Sequence, residues 1–401
     1  MPEPPIPYCR QFTGEEEIAA LAEVLRGGWI ARGPRAVHFE DACAERLQAS
    51  HAISCSSGSS ALEIALRGLG VGPGDEVLVP TLTWVATAMA VRLVGATPVF
   101  ADVDPDTLAL TPETALEGWS ARTRAVIAVD MAGVPHDARA LRELCEERGA
   151  WLVEDAAHAF GARFPDGAAV GADGRAHVAT FSFHPAKTIT TAEGGLLTCA
   201  DPGLAERLRR IRSGGITRDF EGSRGRYDFR ATDLGGNHHL SELHAALGLV
   251  QLGRLDRLLE LRRGAARALG ERLAELGANV LLPTHPQGSS WNLFIVRLPD
   301  EGSPAEVAAR RDELLTRLQS QRIATHVHYP LLHRQPVFRA PGARRRFPQA
   351  ERYERTALSL PLFPGMTAAE IERVVAALAA ALPGANAAAP PASSAACEPV
   401  P

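Results

Sequence analysis

Apolar residues recur at helical spacing across residues 14–27, and three acids fall in the first turn, where they suit the helix dipole. Gly27-Gly28 closes that helix. Residues 29–34 read as a loop, and Val37–Gln48 as a second helix. From residue 52 the rhythm changes, and short apolar runs alternate with helical stretches. Ala52–Cys55 reads as a strand that runs into Ser56-Ser-Gly-Ser-Ser60, with an amphipathic helix from about Ala61. Glu76–Pro80, Thr97–Asp102, Thr123–Val129 and Trp151–Asp155 are further strands, with helices at Val85–Leu93 and Ala138–Arg148. A strand–helix unit of roughly 25 residues predicts an α/β fold with a mainly parallel sheet.

After Leu234-Gly-Gly-Asn237 the spacing predicts one long amphipathic helix to about Leu269. Beyond residue 270 the pattern is a strand at Trp291–Leu298, a helix at Ser303–Arg322, a strand at Ala324–Pro330 and a helix at Thr367–Ala381. These divisions predict a large domain with its N-terminal segment over 1–250 and a smaller α+β domain over 251–384. Residues 385–401, rich in Ala, Pro and Ser, form a low-complexity tail expected to be disordered.

Composition narrows the function classes. A chain of 401 residues that is 46% apolar can bury a large core. Its net charge of −5 gives no basic surface for nucleic acid or a membrane. The cysteines (Cys9, Cys43, Cys55, Cys145, Cys199, Cys397) are scattered without a C-x-x-C pair, which reads as reduced thiols rather than a disulfide frame. The opening Met-Pro-Glu-Pro-Pro does not read as a signal peptide, and no apolar run approaches the roughly 20 residues of a membrane span. The expectation is a soluble, cytoplasmic protein. No G-x-G-x-x-G follows the first strand, so a dinucleotide oxidoreductase is unsupported.

Of the 42 basic residues only one is lysine, Lys187, within Phe181-Ser-Phe-His-Pro-Ala-Lys-Thr-Ile-Thr-Thr-Ala-Glu-Gly-Gly195. Guanidinium stays protonated at ordinary pH, whereas a desolvated ammonium can lose its proton and become a nucleophile towards carbonyls. The alternative is a surface lysine left by chance. A strand, a turn and a Gly-rich loop surround it, the arrangement in which open α/β folds place their sites. Ser56–Ser60 opens a helix and reads either as a phosphate cradle or as ordinary serine caps. Asp155, at a strand's carboxyl end, reads either as a partner for a pyridinium nitrogen or as a helix cap. Trp84 is either core or a stacking face. Asn237, His238 and His239 lie on a loop, and His238, His239 and His244 lack a metal-ligand pattern, so no metal is expected.

Taken together, these segments resemble the DegT/DnrJ/EryC1/StrS family of sugar aminotransferases, a branch of the fold-type I pyridoxal-phosphate enzymes. The likeness runs from about residue 6 to 383. The Lys187 loop carries it, with Gly33-Pro34, Ser57-Gly-Ser-Ser-Ala-Leu62, Pro80–Thr87, Glu154-Asp-Ala-Ala-His158, Gly236-Asn237, Tyr329-Pro330 and Ser359–Met366 in order. The resemblance implies that Lys187 holds pyridoxal 5′-phosphate covalently, that Asp155 pairs with the ring nitrogen and His158 with the ring hydroxyl, and that Trp84 stacks on the ring. Ser59, Ser60 and the Ser182 hydroxyl would hold the phosphate, and Asn237 would reach the phosphate of a neighbouring subunit in a homodimer. It further implies L-glutamate or L-glutamine as amino donor and a keto-sugar, usually nucleotide-linked, or a keto-cyclitol as acceptor, in glycan or secondary-metabolite biosynthesis. Serines stand at 57 and 59 where the family usually has asparagine and threonine. Asp130 and His239 depart from the usual histidine and arginine at positions expected close to substrate. The competing readings are a dehydratase or lyase on the same scaffold and a non-catalytic regulatory homologue. Dehydratase relatives carry histidine in place of the lysine, so Lys187 favours amino transfer, and the intact Lys187, Asp155 and Ser182 argue against a non-catalytic regulator.

Overall fold

The computed structural model describes residues 3–218, 223, 228–275, 277, 279–285, 287–339 and 345–382. Seven strands form the central sheet: β1 (His51–Cys55), β2 (Glu76–Pro80), β3 (Thr97–Ala101), β4 (Thr123–Val129), β5 (Trp151–Asp155), β6 (Val178–Ser182) and β7 (Gly195–Cys199). Their order is β1-β7-β6-β5-β4-β2-β3. Pairing is parallel from β3 through β6, and β7 runs antiparallel to both its neighbours. Strands β2 and β7 are buried at every position, because helices cover both faces of the sheet.

The connecting helices are α1 (Glu15–Gly27), α2 (Pro34–Leu47), α3 (Gly58–Gly68), α4 (Val85–Leu93), α5 (Pro112–Leu116), α6 (Ala138–Glu147) and α7 (Pro202–Arg212). One core cluster packs α3, α4 and α7 on one face through Leu62, Val91 and Leu208. Phe39 of α2 and the Phe160–Phe181–Phe183 group fill the other. A short ribbon, β8 (Ile216–Thr217) with β9 (Arg230–Ala231), precedes α8 (Glu242–Gly253) and α9 (Leu255–Glu275). The chain ends in β10 (Phe294–Arg297), α10 (Pro304–Ser320), α11 (Pro348–Thr356), β11 (Ala357–Leu360) and α12 (Ala368–Ala381). Here β10 pairs antiparallel with β11, and Ile6 of the N-terminal segment joins their apolar cluster.

Three expectations are corrected. Helix α2 begins at Pro34, inside the presumed loop, because the Glu242 carboxylate of α8 accepts hydrogen bonds from the Gly33, Arg35 and Ala36 N–H groups at 2.9–3.0 Å. The long helix after Asn237 is two helices, with the break at Arg254. Residues 324–330 are not a strand: His326 makes a single bridge to Ser359, and β11 is the partner of β10 instead. The segment 385–401, expected to be disordered, lies outside the described residues. No helix among the described residues is long and apolar enough to cross a membrane.

Candidate active site

The carboxyl ends of the parallel strands converge on a cavity of about 320 Å³. Ligands bind at such ends because the loops there diverge and helix N-termini point inward. Ser57, Ser59, Trp84, Asp155, His158, Ser182 and Lys187 all line it. Candidates scattered over 130 residues of sequence thus meet in one place.

The cradle starts at α3. Ser57 is its N-cap, and its hydroxyl accepts a hydrogen bond from the Ser60 N–H at 3.1 Å. That cap takes the Ser60 amide, and the Ser60 hydroxyl pairs with those of Ser56 and Ser57 at 3.0 Å, so Ser60 stands behind the cavity wall. Gly58 and Ser59 open the helix, where N–H groups have no partner within the helix itself, which leaves them for an anion. A Cβ on Gly58 would lie 2.8 Å from the Ser182 Cβ, and one on Gly195 would collide with the Ser57 carbonyl. The bare glycines therefore let the cradle close down on β6 and β7.

The Lys187 loop is tied at both ends. The Phe183 N–H donates to the Gly194 carbonyl at 2.9 Å, the Thr191 N–H to the Phe183 carbonyl at 3.0 Å, and the Lys187 N–H to the His184 carbonyl at 2.9 Å. Lys187 keeps some contact with solvent through the cavity, yet protein surrounds it closely. Burial lowers its amine from an ordinary 10.5 to about 8, with the Asp155 carboxylate opposing and the Arg262 guanidinium reinforcing that effect.

Asp155 ends β5 and is buried. The Thr87 hydroxyl donates to its Oδ2 at 2.8 Å and the Ala157 N–H to its Oδ1 at 3.3 Å. Desolvation still raises its carboxyl above the usual range. A cation against this carboxylate would restore its charge. Beside it, the Ala132 N–H donates to His158 Nδ1 at 3.3 Å, and His158 Nε2 lies 3.1 Å from the Tyr329 hydroxyl. With Nδ1 accepting, the network assigns the ring proton to Nε2. Burial holds His158 well below its ordinary value, so it is a neutral donor aimed at the cavity. Trp84, the N-cap residue of α4, is 57% exposed on the cavity wall. A ring left so open has a face to offer a planar ligand.

Besides Ser60, three predicted residues lie away from the cavity. Asn237 is exposed on the loop before α8, bridges Ser213, and does not line this chain's cavity; His239 is exposed on the same loop. Asp130, expected close to substrate, faces inward instead. It is fully buried, and its Oδ1 lies 2.6 Å from His136 Nδ1, with Glu154 Oε1 3.9 Å from the same nitrogen. The hydrogen-bonded imidazole offsets part of the cost of burying that carboxylate. Sequence reasoning also missed Thr87, Asn292 and Arg262. Thr87 and Asn292 lie in stretches that read as helix and strand, and only the fold brings them to the site.

The site fits pyridoxal phosphate on its own features: open amides for a phosphate, a buried carboxylate for a ring cation, an exposed indole, and a lysine with a lowered amine. Comparison with known proteins agrees. Residues 11–379 match the model of the DegT/DnrJ/EryC1/StrS aminotransferase family. Aminotransferase TlmJ from Streptoalloteichus hindustanus is 35% identical, with 94% of this chain and 98% of that one covered at a TM-score of 0.84. The sugar aminotransferase Spr1654 from Streptococcus pneumoniae, in its PMP form, is 27% identical over 94% of this chain and 97% of that one, at a TM-score of 0.86. Helicobacter pylori PseC, an aminotransferase of pseudoaminic acid biosynthesis, is 25% identical over 94% and 99%, also at 0.86.

Proposed function

The chain belongs to the DegT/DnrJ/EryC1/StrS aminotransferase family and is a pyridoxal-phosphate-dependent aminotransferase; we propose that it carries an amino group from L-glutamate or L-glutamine to a keto group on a nucleotide-linked sugar or a cyclitol. One observation carries this reading most: the sole lysine of the chain lines the same cavity as a buried carboxylate and has its amine lowered to about 8.

When bound, pyridoxal phosphate supplies an aldehyde that condenses with amines and a ring that accepts the electron pair left when a neighbouring C–H bond breaks. Lys187 would hold the aldehyde carbon between turnovers. Displaced by the donor, its amine would take the proton from the donor Cα and then return one, as base and then acid. Asp155 would keep the ring nitrogen protonated, supported by the Thr87 hydroxyl. His158 would donate from Nε2 to the ring hydroxyl. Trp84 would cover one face and exclude water from it. The Gly58 and Ser59 amides with the Ser182 hydroxyl would hold the phosphate.

Asn237 would complete the site of a second copy of this chain. Exposed Leu234 and Phe229 on the same stretch support a homodimer, since they leave apolar surface for a partner to cover. Cys9, Cys43, Cys55, Cys145 and Cys199 are all unpaired, which supports a reducing, cytoplasmic setting.

The visible absorbance of the purified protein tests the reading, recorded before and after L-glutamate and then L-glutamine. Conversion of the cofactor band by one donor is the expected result and identifies that donor. A band indifferent to both would overturn the donor assignment.

A further inference from the structure

The apolar stripe of α9 runs through Leu258, Leu259, Ala265, Ala266, Leu269 and Leu273. An arginine interrupts it: Arg262 is 2% exposed and among the largest fully buried side chains. Its Nη2 donates to the Lys187 carbonyl at 3.1 Å and its Nη1 to the Leu362 carbonyl at 3.4 Å, while Nε has no partner. Among the described residues no ion pair joins it to a carboxylate. The titratable groups that face it are Tyr8 and Cys9, both held neutral by burial, and Lys187. A buried, unneutralised guanidinium is costly, and a methionine could fill the same stripe without that cost.

We propose that Arg262 is a positioning residue for Lys187: it anchors the lysine's own carbonyl and keeps a fixed positive charge beside the amine. A like charge favours the neutral amine, the form that takes a proton from the donor Cα. Of the other groups facing Lys187, the Asp155 carboxylate pulls the opposite way, and the Cys9 thiol, held neutral by burial, adds no charge. His158 and His328 are themselves held neutral by burial and add no charge. Burial does most to lower the Lys187 amine, and Arg262 adds a fixed charge against the pull of Asp155, which must stay anionic for the ring. This role rests on the aminotransferase reading above.

The composition makes the test clean. The full chain, grown on lysine labelled with 13C at Cε and loaded with pyridoxamine 5′-phosphate, gives one lysine Cε signal, because Lys187 is the only lysine. Its chemical shift titrates with the amine. The expected midpoint is near 8 in the unaltered protein. In Arg262→Met, and in Arg262→Gln, which keeps hydrogen-bond donors and loses the charge, it moves up by about one pH unit or more, the scale of a neighbouring like charge. A purely structural strut would lower thermal stability in both variants and leave the midpoint in place, which overturns the proposal. A midpoint of 10 or above in the unaltered protein overturns it as well, whatever the variants do. The aminotransferase reading stands or falls separately, on the absorbance response to donors.

Discussion

Replacing Thr87 by valine changes one hydroxyl into one methyl at a fully buried position, and the structure says what that should cost. The Thr87 hydroxyl donates to Asp155 Oδ2 at 2.8 Å, the shorter of the two bonds that carboxylate receives. A hydrogen bond to a charged group contributes about 1.5–3 kcal/mol. At about 1.4 kcal/mol per pH unit, losing it raises the Asp155 carboxyl by roughly one to two units. Burial already holds that carboxyl above its usual range, so losing the bond pushes it further in the same direction. If Asp155 must be ionised to hold the ring proton, the acid limb of the donor half-reaction moves to higher pH. At fixed pH below that limb the rate falls about 10- to 100-fold. Thr83, whose hydroxyl lies 3.0 Å from that of Thr87, also loses its partner, which predicts about 1–3 kcal/mol of lost stability. Single-turnover absorbance with the donor, recorded from pH 5 to 9, reads the first effect, and urea unfolding reads the second. Thr87→Ser should preserve both. If the valine variant kept the wild-type acid limb, Asp155 would not depend on Thr87, and its assigned role would lose its main support.

Two further outcomes follow from the same geometry. In Gly195→Ala the new methyl meets the Ser57 carbonyl and the Gly58 nitrogen. Stability should drop by about 1–3 kcal/mol, and cofactor affinity should fall with it, as seen by equilibrium dialysis; unchanged affinity would mean that the Ser57–Gly58 turn does not hold the phosphate. Burial, and then the Asp130 charge, raise the Glu154 carboxyl from 4.5 to about 8. Between those values the native chain keeps a proton that the unfolded chain has released, so stability falls as pH rises. Burial alone would lower His136, but Asp130 outweighs it and raises the imidazole, so its stabilisation is also lost with rising pH. Glu154→Gln should reduce the loss of stability between pH 5 and 8 by on the order of 1 kcal/mol or more, measured by urea unfolding. An equally steep loss in the variant would show that Glu154 ionises normally.

What the sequence made legible divides along physical lines. Strands β2, β4 and β5 each hold an unbroken apolar stretch, at residues 77–79, 125–129 and 151–153, because both faces of the sheet are covered, and hydropathy alone locates them. Lys187 stood out because arginine fills every other basic position, and Asp155 because it closes a strand. The start of α2 was not legible, since its capping carboxylate, Glu242, comes from more than 200 residues away. The same applies to Ser57 and Ser60, where local sequence offers several equivalent hydroxyls and only the cap geometry says which one is spent. Arg262 was invisible for the opposite reason: an arginine in an arginine-rich chain draws no attention until its burial is known.

Asp130 shows where reading by position fails and what the fold supplies instead. Its side chain turns away from the cavity to His136, but its backbone N–H donates to the Asp155 carbonyl at 3.1 Å. Two residues on, the Ala132 N–H donates to His158, and Ala132 adopts a φ of 58°, a left-handed conformation that alanine rarely takes. The Gly133 carbonyl accepts from the Ser289 hydroxyl and the Ala132 carbonyl from the Asn292 N–H. One turn after β4 therefore fixes the strand end that carries Asp155, the tautomer of His158 and the wall that carries Asn292. Burying the Asp130–His136 pair beneath that turn ties a strained backbone to the sheet. The residue at 130 thus connects to Asp155 and His158 through the backbone of this turn.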